Sequence, residues 1–274
     1  MTLRELSSIL AGAGIDSARA DTLRLAEHAS GVGRAMLMAR FDDDITAESW
    51  CAALTEMIRR RAAREPLQYI LGKWEFYGDE YTVTPDTLIP RPETELLVDY
   101  AVSHLPPRAR IADLCCGSGC IGIAVCRHTD ADCDSLDVSE AALAVARRNA
   151  DALGVSDRMT FSRGDVLRGG TLSGLYDMMI SNPPYVKTDE LRQLEPELSF
   201  EPTLALDGGP DGMIFYRRII ENYKENLAPG GSFVFEIGAS QGGDITSLAR
   251  EHGFYVEVRH DLSGLPRMAI ISRL

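Results

Sequence analysis

The chain has 274 residues, 45% of them hydrophobic and 25% charged, a balance that fits a globular protein with a sizeable core in one large domain or two smaller ones. Its formal net charge of −13 is uneven: residues 1–73 hold ten basic and ten acidic side chains, so all the excess acidity lies beyond them, which argues against a broad phosphate-binding surface. No run approaches the ~20 apolar residues of a membrane span. The opening M-T-L-R-E-L-S-S carries Glu5 and no sustained apolar run, so no signal peptide and a cytoplasmic location are expected.

Residues 1–72 read as helices. Thr2 and Glu5 have the spacing of a capping box that opens a helix through Leu10, with Gly12 and Gly14 beyond it. Asp16 or Ser17 can cap a second helix that stops at Gly31. A third is expected over 47–64, where Trp50, Leu54, Met57 and Ile58 recur at helical spacing and Pro66 ends the pattern. The Arg59-Arg60-Arg61 run suits the negative end of a helix dipole and reads as a solvated helix end.

Residues 74–88 alternate aromatic and β-branched side chains around Gly78-Asp79, which predicts a hairpin; residues 73–90 would join two domains. Pro92 can be a first helical residue, with Glu93 and Glu95 in the favourable first turn. Further on, strands are expected at 110–114, 134–138, 159–163, 177–181, 232–238, 254–259 and 268–272. Helices are expected at 120–128, 140–152, 212–226 and 245–252. Strands separated by helices imply a parallel, doubly wound α/β sheet over residues 91–274. The last two strands have no helix between them and should pair antiparallel at one edge.

Five of the six cysteines, Cys115, Cys116, Cys120, Cys126 and Cys133, crowd together. A disulfide framework does not suit so long a chain with a full core. The adjacent Cys115-Cys116 lacks the spacing of a zinc site, so small buried apolar residues and no metal are expected.

Four strand ends carry chemistry. After the first, D-L-C-C-G-S-G-C-I-G places Gly117, Gly119 and Gly122 at the G-x-G-x-x-G spacing of a dinucleotide site, so a nicotinamide cofactor has to be weighed. Gly117 and Gly119, with Cys115, Cys116 and Ser118 around them, let a ligand approach the backbone ahead of a helix N-terminus. Asp137 ends the second strand, 18 residues beyond Gly119, where a carboxylate can accept ribose hydroxyls. Its alternative is a helix cap, for which Ser139 is better placed. Asp165 follows the third strand and could meet an adenine amino group, with Val166 against the ring. Asn182-Pro183-Pro184-Tyr185 follows the fourth; it could be only a turn, since the prolines fix φ and cannot donate. In a doubly wound sheet, however, these loops converge on one crevice.

This combination resembles the S-adenosyl-L-methionine-dependent methyltransferases that act on planar amino or amide nitrogens, which outweighs the nicotinamide reading. Within them the chain closely resembles the release factor glutamine methyltransferases. The match is carried by P-L-Q-Y-I-L-G (66–72), T-L-I-P-R-P-E-T-E (87–95), D-L-C-C-G-S-G (113–119), I-S-N-P-P-Y (180–185), F-E-P (200–202), G-G-P-D-G (208–212), E-I-G (236–238) and Q-G (241–242).

The resemblance implies a Rossmann-like class I methyltransferase domain (91–274), mostly parallel with its last strand pair antiparallel. It is preceded by a helical substrate-recognition domain (1–72). It implies methylation of the glutamine side-chain amide in the Gly-Gly-Gln loop of class I peptide chain release factors. A monomer with no direct nucleic-acid partner and no membrane association is expected. Asn182 Oδ1 and the Pro183 carbonyl would accept the two amide N–H bonds, Tyr185 would pack against the amide or methyl, and Asn182 would also border the cofactor. Pro90, Arg91 and Glu93 would edge the substrate crevice with Pro184; their alternative role is a helix start joining the domains. Glu236 reads as structural. A methyltransferase for an exocyclic amine of adenine or guanine in DNA or RNA shares N-P-P-Y, but no basic recognition segment is present. A cofactor-bound scaffold is opposed by the intact Asn182 and glycine loop. Many relatives have glycine where Cys115 stands; a need for positive φ there would strain Cys115, and the preferred expectation is that the position needs only a small side chain.

Overall fold

The protein is described here by a computed structural model, over residues 1–273. It divides into two compact units, Met1–Lys73 with Glu195–Phe200, and Trp74–Leu194 with Glu201–Leu274.

The first unit is helical: α1 (Leu3–Gly12), α2 (Ala18–Ser30), α3 (Arg34–Ala39), α4 (Cys51–Ala62) and α5 (Leu67–Leu71). The capping box forms, with Thr2 Oγ1 accepting the Glu5 N–H and Glu5 accepting the Thr2 N–H. Leu3, Leu6 and Leu10 from that helix join Leu25, Leu54, Ile58 and Ile70 in one core. The third predicted helix is shorter than expected. Asp44 accepts both the N–H and the hydroxyl of Thr46, holding a turn, and Ile45 turns into the core, so α4 starts only at Cys51. It ends before Arg64, which has φ +69°; Pro66 stands instead at the start of α5. The short α3 and α5 were not expected, because five or six residues carry no readable period. Arg61 is not a solvated helix end. It is buried, with Nε 2.9 Å from Asp21 Oδ2 and Nη1 3.1 Å from Glu197 Oε1.

The second unit opens with a hairpin, β1 (Lys73–Phe76) and β2 (Asp79–Thr82). Its turn is Tyr77-Gly78, both at positive φ, one residue earlier than predicted. A 3₁₀ turn, Pro92–Thr94, leads into α6 (Glu95–His104). Then come β3 (Arg110–Leu114), α7 (Cys120–His128), β4 (Asp132–Asp137), α8 (Glu140–Ala152), β5 (Met159–Arg163) and β6 (Tyr176–Ser181). The chain continues with α9 (Ile214–Tyr223), β7 (Leu227–Glu236), α10 (Gly242–Glu251), β8 (Phe254–His260) and β9 (Pro266–Arg273). The seven strands β3 to β9 form one sheet in the order β5-β4-β3-β6-β7-β9-β8. The first five are parallel, and β9 lies antiparallel between β7 and the edge strand β8.

Successive side chains alternate between two cores, as strand geometry requires. Ile111, Val234 and Ile270 face α6 and α7, whereas Ala112, Phe233, Phe235 and Ile271 face α9 and α10. A register shift between Tyr176 and Met178 breaks this alternation in β6. The chain order reverses between β3 and β6, which are parallel neighbours. Their C-terminal ends therefore open a crevice at a topological switch point.

Candidate active site

The loop after β3 is shaped by backbone geometry. Cys115, Gly117 and Gly119 have φ of +59°, +53° and +79°. The expectation for Cys115 is therefore corrected: the position is left-handed, which disfavours any side chain, and smallness alone does not explain it. The thiol joins the core facing α9 and α10, which offsets part of that strain. Burial pushes the Cys115 and Cys116 thiols well up, so neither is a ready nucleophile.

The three glycines differ in role. A Cβ on Gly117 would meet nothing within 4 Å, whereas one on Gly119 would lie 3.0 Å from Ala146 Cβ and 3.0 Å from Ile123 Cδ1. One on Gly122 would sit 2.8 Å from Cys133 Sγ. Gly122 thus brings α7 close to the sheet, and Gly117 leaves the backbone open to the crevice. The G-x-G-x-x-G spacing follows from packing as much as from ligand contact.

Asp137, at the end of β4, clamps this loop. Its Oδ2 accepts the Gly117 N–H at 2.9 Å and its Oδ1 the Ser139 N–H at 2.9 Å. Ser139 itself caps α8 through the Ala142 N–H. Burial raises the Asp137 carboxyl, and the N–H donors oppose that. Asp165 accepts the Leu167 N–H at 2.9 Å and lies 3.4 Å from Arg168 Nε, beside the buried Val166. Asp113, in β3, is fully buried. Its Oδ2 accepts the Gly122 N–H, its Oδ1 has no partner among the described residues, and burial pushes its carboxyl to about 7.

After β6, Asn182 Nδ2 donates to Thr94 Oγ1 at 3.2 Å. Thr94 donates to Glu236 Oε2, and Tyr185 donates to Glu236 Oε1 at 3.2 Å. Tyr216 donates to the Glu236 carbonyl at 2.8 Å, and Gln241 Nε2 donates to the Tyr185 carbonyl at 3.2 Å. Among the described residues nothing donates to Asn182 Oδ1 or to the Pro183 carbonyl. Arg91 pairs with buried Glu201, which also accepts the Ile89 N–H at 3.0 Å. That contact fastens the I-P-R-P segment to F-E-P.

One cleft gathers most of these groups. It is lined by Cys115, Cys116, Gly117, Ser118, Asp137, Asp165, Val166, Asn182, Pro184, Pro90 and Arg91, and encloses about 960 Å³ of empty space, including open solvent at its mouth. Gly119, Pro183, Tyr185 and Glu93 do not line it: Gly119 packs against α8, Pro183 is buried, Tyr185 binds Glu236, and Glu93 is exposed. Thr94, Val138, Ala142, Leu204 and Phe215 line it and were not foreseen. Thr94 stands inside the quoted I-P-R-P-E-T-E, so the segment pointed to it without distinguishing it from its neighbours.

Residues 2–72 match the PrmC N-terminal domain, and residues 92–196 the methyltransferase small domain. A release factor glutamine methyltransferase of Geobacter sulfurreducens is 39% identical over 89% of this chain and 86% of its own. That of Moorella thermoacetica is 38% identical over 100% and 99%, and that of Bordetella pertussis 39% over 98% of each. The chain belongs to the release factor glutamine methyltransferase family.

Family membership and sheet order agree. The second unit has the class I methyltransferase fold, with its last strands antiparallel. It is similar to a methyltransferase of Pyrococcus furiosus (TM-score 0.54, 17% identity, 70% of this chain and 87% of that one). The chain is also similar to the hMettl16 catalytic domain solved with the MAT2A 3′UTR hairpin 6 (TM-score 0.59, 16% identity, 80% of this chain and 82% of that one). At such identities the likeness concerns the fold. Among the described residues no helix is long and apolar enough to cross a membrane.

Proposed function

We propose that this chain transfers a methyl group from S-adenosyl-L-methionine to the side-chain amide nitrogen of the glutamine in the Gly-Gly-Gln loop of class I peptide chain release factors. The observation that carries the reading is Asn182 Oδ1, which borders the cleft after β6 and accepts from no donor among the described residues.

The residues suit the methyl donor. A sulfonium nucleoside with an amino-acid tail needs close backbone approach, an acid for its ribose, an apolar floor and little positive charge nearby. Gly117 supplies the open backbone with Cys115, Cys116 and Ser118, and Gly119 sets the helix start. Asp137 offers the acid, and Val138, Ala142, Val166 and Phe215 the apolar floor, with Asp165 at its edge. Arg91, the cation in the lining, is neutralised by Glu201. When bound, S-adenosyl-L-methionine supplies an electrophilic methyl group.

The chain's own residues then act mainly by placement. An amide nitrogen is a weak nucleophile because its lone pair is delocalised into the carbonyl. Asn182 Oδ1 and the Pro183 carbonyl accept its two N–H bonds, fixing the nitrogen's direction and stabilising the positive charge that develops on it. Pro183 and Pro184 stiffen the segment so that the carbonyl stays available. Tyr185, held by Glu236 and Gln241, keeps the strand end in place beside the amide. Pro90, Arg91 and Glu93 border the entry for the release factor, which the helical unit recognises. The enzyme works in the cytoplasm as a monomer, without metal and without binding nucleic acid directly.

Labelled S-adenosyl-L-methionine, offered with a class I release factor or with DNA and RNA, tests the reading. Label on the release factor alone is expected. Label on nucleic acid alone would make the enzyme a base methyltransferase using the same acceptors on an exocyclic amine.

A further inference from the structure

The acceptor role of Asn182 depends on which way its side-chain amide faces. Its two ends are nearly equal in size, and a free carboxamide could present either its oxygen or its NH₂ to the substrate. An NH₂ group facing the glutamine nitrogen would offer hydrogen where an acceptor is required. The neighbours of Asn182 settle the direction. Burial raises the Glu236 carboxyl, and the hydrogen bonds from Thr94 and Tyr185 and the charge of Arg267 oppose that; as a carboxylate it accepts only, and a threonine hydroxyl has one hydrogen to give. Thr94 is 2% exposed and gives that hydrogen to Glu236 Oε2. Its oxygen can then only accept, and it accepts from Asn182 Nδ2 at 3.2 Å. Asn182 Oδ1 is left facing away from Thr94.

We infer that Thr94 and Glu236 are positioning residues that hold the Asn182 carboxamide with its oxygen toward the substrate amide. The inference rests on the reading of Asn182 as the acceptor. Glu236, 1% exposed, is held on all sides: Tyr185 donates to its second oxygen and Tyr216 to its own carbonyl. The relay joins three separate parts of the chain, the turn before α6, the end of β6 and the end of β7. Both buried polar side chains are thereby satisfied, and the reacting end of Asn182 stays free.

Two substitutions perturb the relay differently. Thr94→Val keeps the shape and removes the hydroxyl. Glu236→Gln keeps the volume, but its NH₂ can donate to Thr94. The threonine hydrogen then turns to Asn182, whose carboxamide flips so that Oδ1 accepts it and the NH₂ faces the substrate. Each should lower kcat on a release factor by roughly tenfold or more. Affinity for S-adenosyl-L-methionine by calorimetry and the melting temperature should stay near wild type. In the presence of S-adenosyl-L-homocysteine, a Gly-Gly-Gln peptide should bind each variant more weakly. Thr94→Ser, which restores a hydroxyl, should recover most of the lost turnover.

Wild-type turnover in Thr94→Val and Glu236→Gln, with Asn182→Ala inactive, would overturn the relay and leave the acceptor reading standing. An active Asn182→Ala would overturn both. Equal losses in Thr94→Ser and Thr94→Val, or losses tracking melting temperature, would make Thr94 a packing residue and refute the inference. Glu236→Gln keeps the question open to test even if Thr94→Val fails to fold.

Discussion

Replacing Asp113 by asparagine should flatten the dependence of stability on pH. Asp113 is fully buried in β3, with one oxygen accepting the Gly122 N–H and the other unpartnered. Burial raises its carboxyl from 3.8 to about 7. The folded chain therefore keeps a proton that the unfolded chain releases from about pH 4 upward. Stability from this group is fully present below the unfolded value and is lost as pH rises through the folded one. At ~1.4 kcal/mol per pH unit, the loss between about pH 4 and pH 7 is on the order of 4 kcal/mol. Asparagine has nearly the same shape, can still accept from Gly122, and does not titrate. Denaturant unfolding of both proteins across that window isolates the group, because the other carboxylates are common to both. The asparagine variant should lose relative stability at low pH and gain it toward neutrality. Parallel curves would refute the reasoning and place a partner or water on the free oxygen.

Other perturbations separate binding, transfer and folding. Asn182→Ala should cut turnover by about a hundredfold while leaving cofactor affinity within about threefold, measured by single-turnover transfer and calorimetry. A proportional loss of cofactor affinity would count against a role in transfer. Gly119→Ala should destabilise the protein by ~1–3 kcal/mol, since its Cβ would press on Ala146 and Ile123 at φ +79°. Gly117→Ala, whose Cβ enters open space at the cleft, should instead lower cofactor affinity by about tenfold for less stability lost. Equal behaviour of the two variants would contradict the division of roles. Arg61→Met should destabilise the helical unit by ~3–5 kcal/mol, because it leaves the buried Asp21 without its cation, while Glu197 keeps Arg64. A change near zero in chemical denaturation would show that the ions are solvated.

The mostly parallel sheet was legible because most of its strands alternate with amphipathic helices, and the loops after them carry the unusual residues. The same logic put Gly117, Asp137, Asp165 and Asn182 at one edge of the sheet, where the cleft gathers them. What escaped had physical reasons. The hydrogen bond from Thr94 to Glu236 spans 142 positions, and neither residue type is distinctive alone. Cys115 looked like a small packing residue because φ cannot be read from a side chain; only the fold shows its left-handed backbone. Arg61 looked solvated, because the carboxylates it meets come from α2 and from the Glu195–Phe200 segment. The start of α4 was misjudged because Asp44 and Thr46 form a turn where helical periodicity predicted continuation.

The central claim is that the glutamine side-chain nitrogen receives the methyl group. Fragmentation mass spectrometry of a release factor, before and after incubation with the enzyme and S-adenosyl-L-methionine, tests it most directly. The account predicts one added methyl group, on the side chain of the glutamine in Gly-Gly-Gln, appearing about a hundredfold more slowly when Asn182→Ala is used. A methyl group on any other residue, or an unmodified release factor beside an enzyme that binds the cofactor, would contradict it.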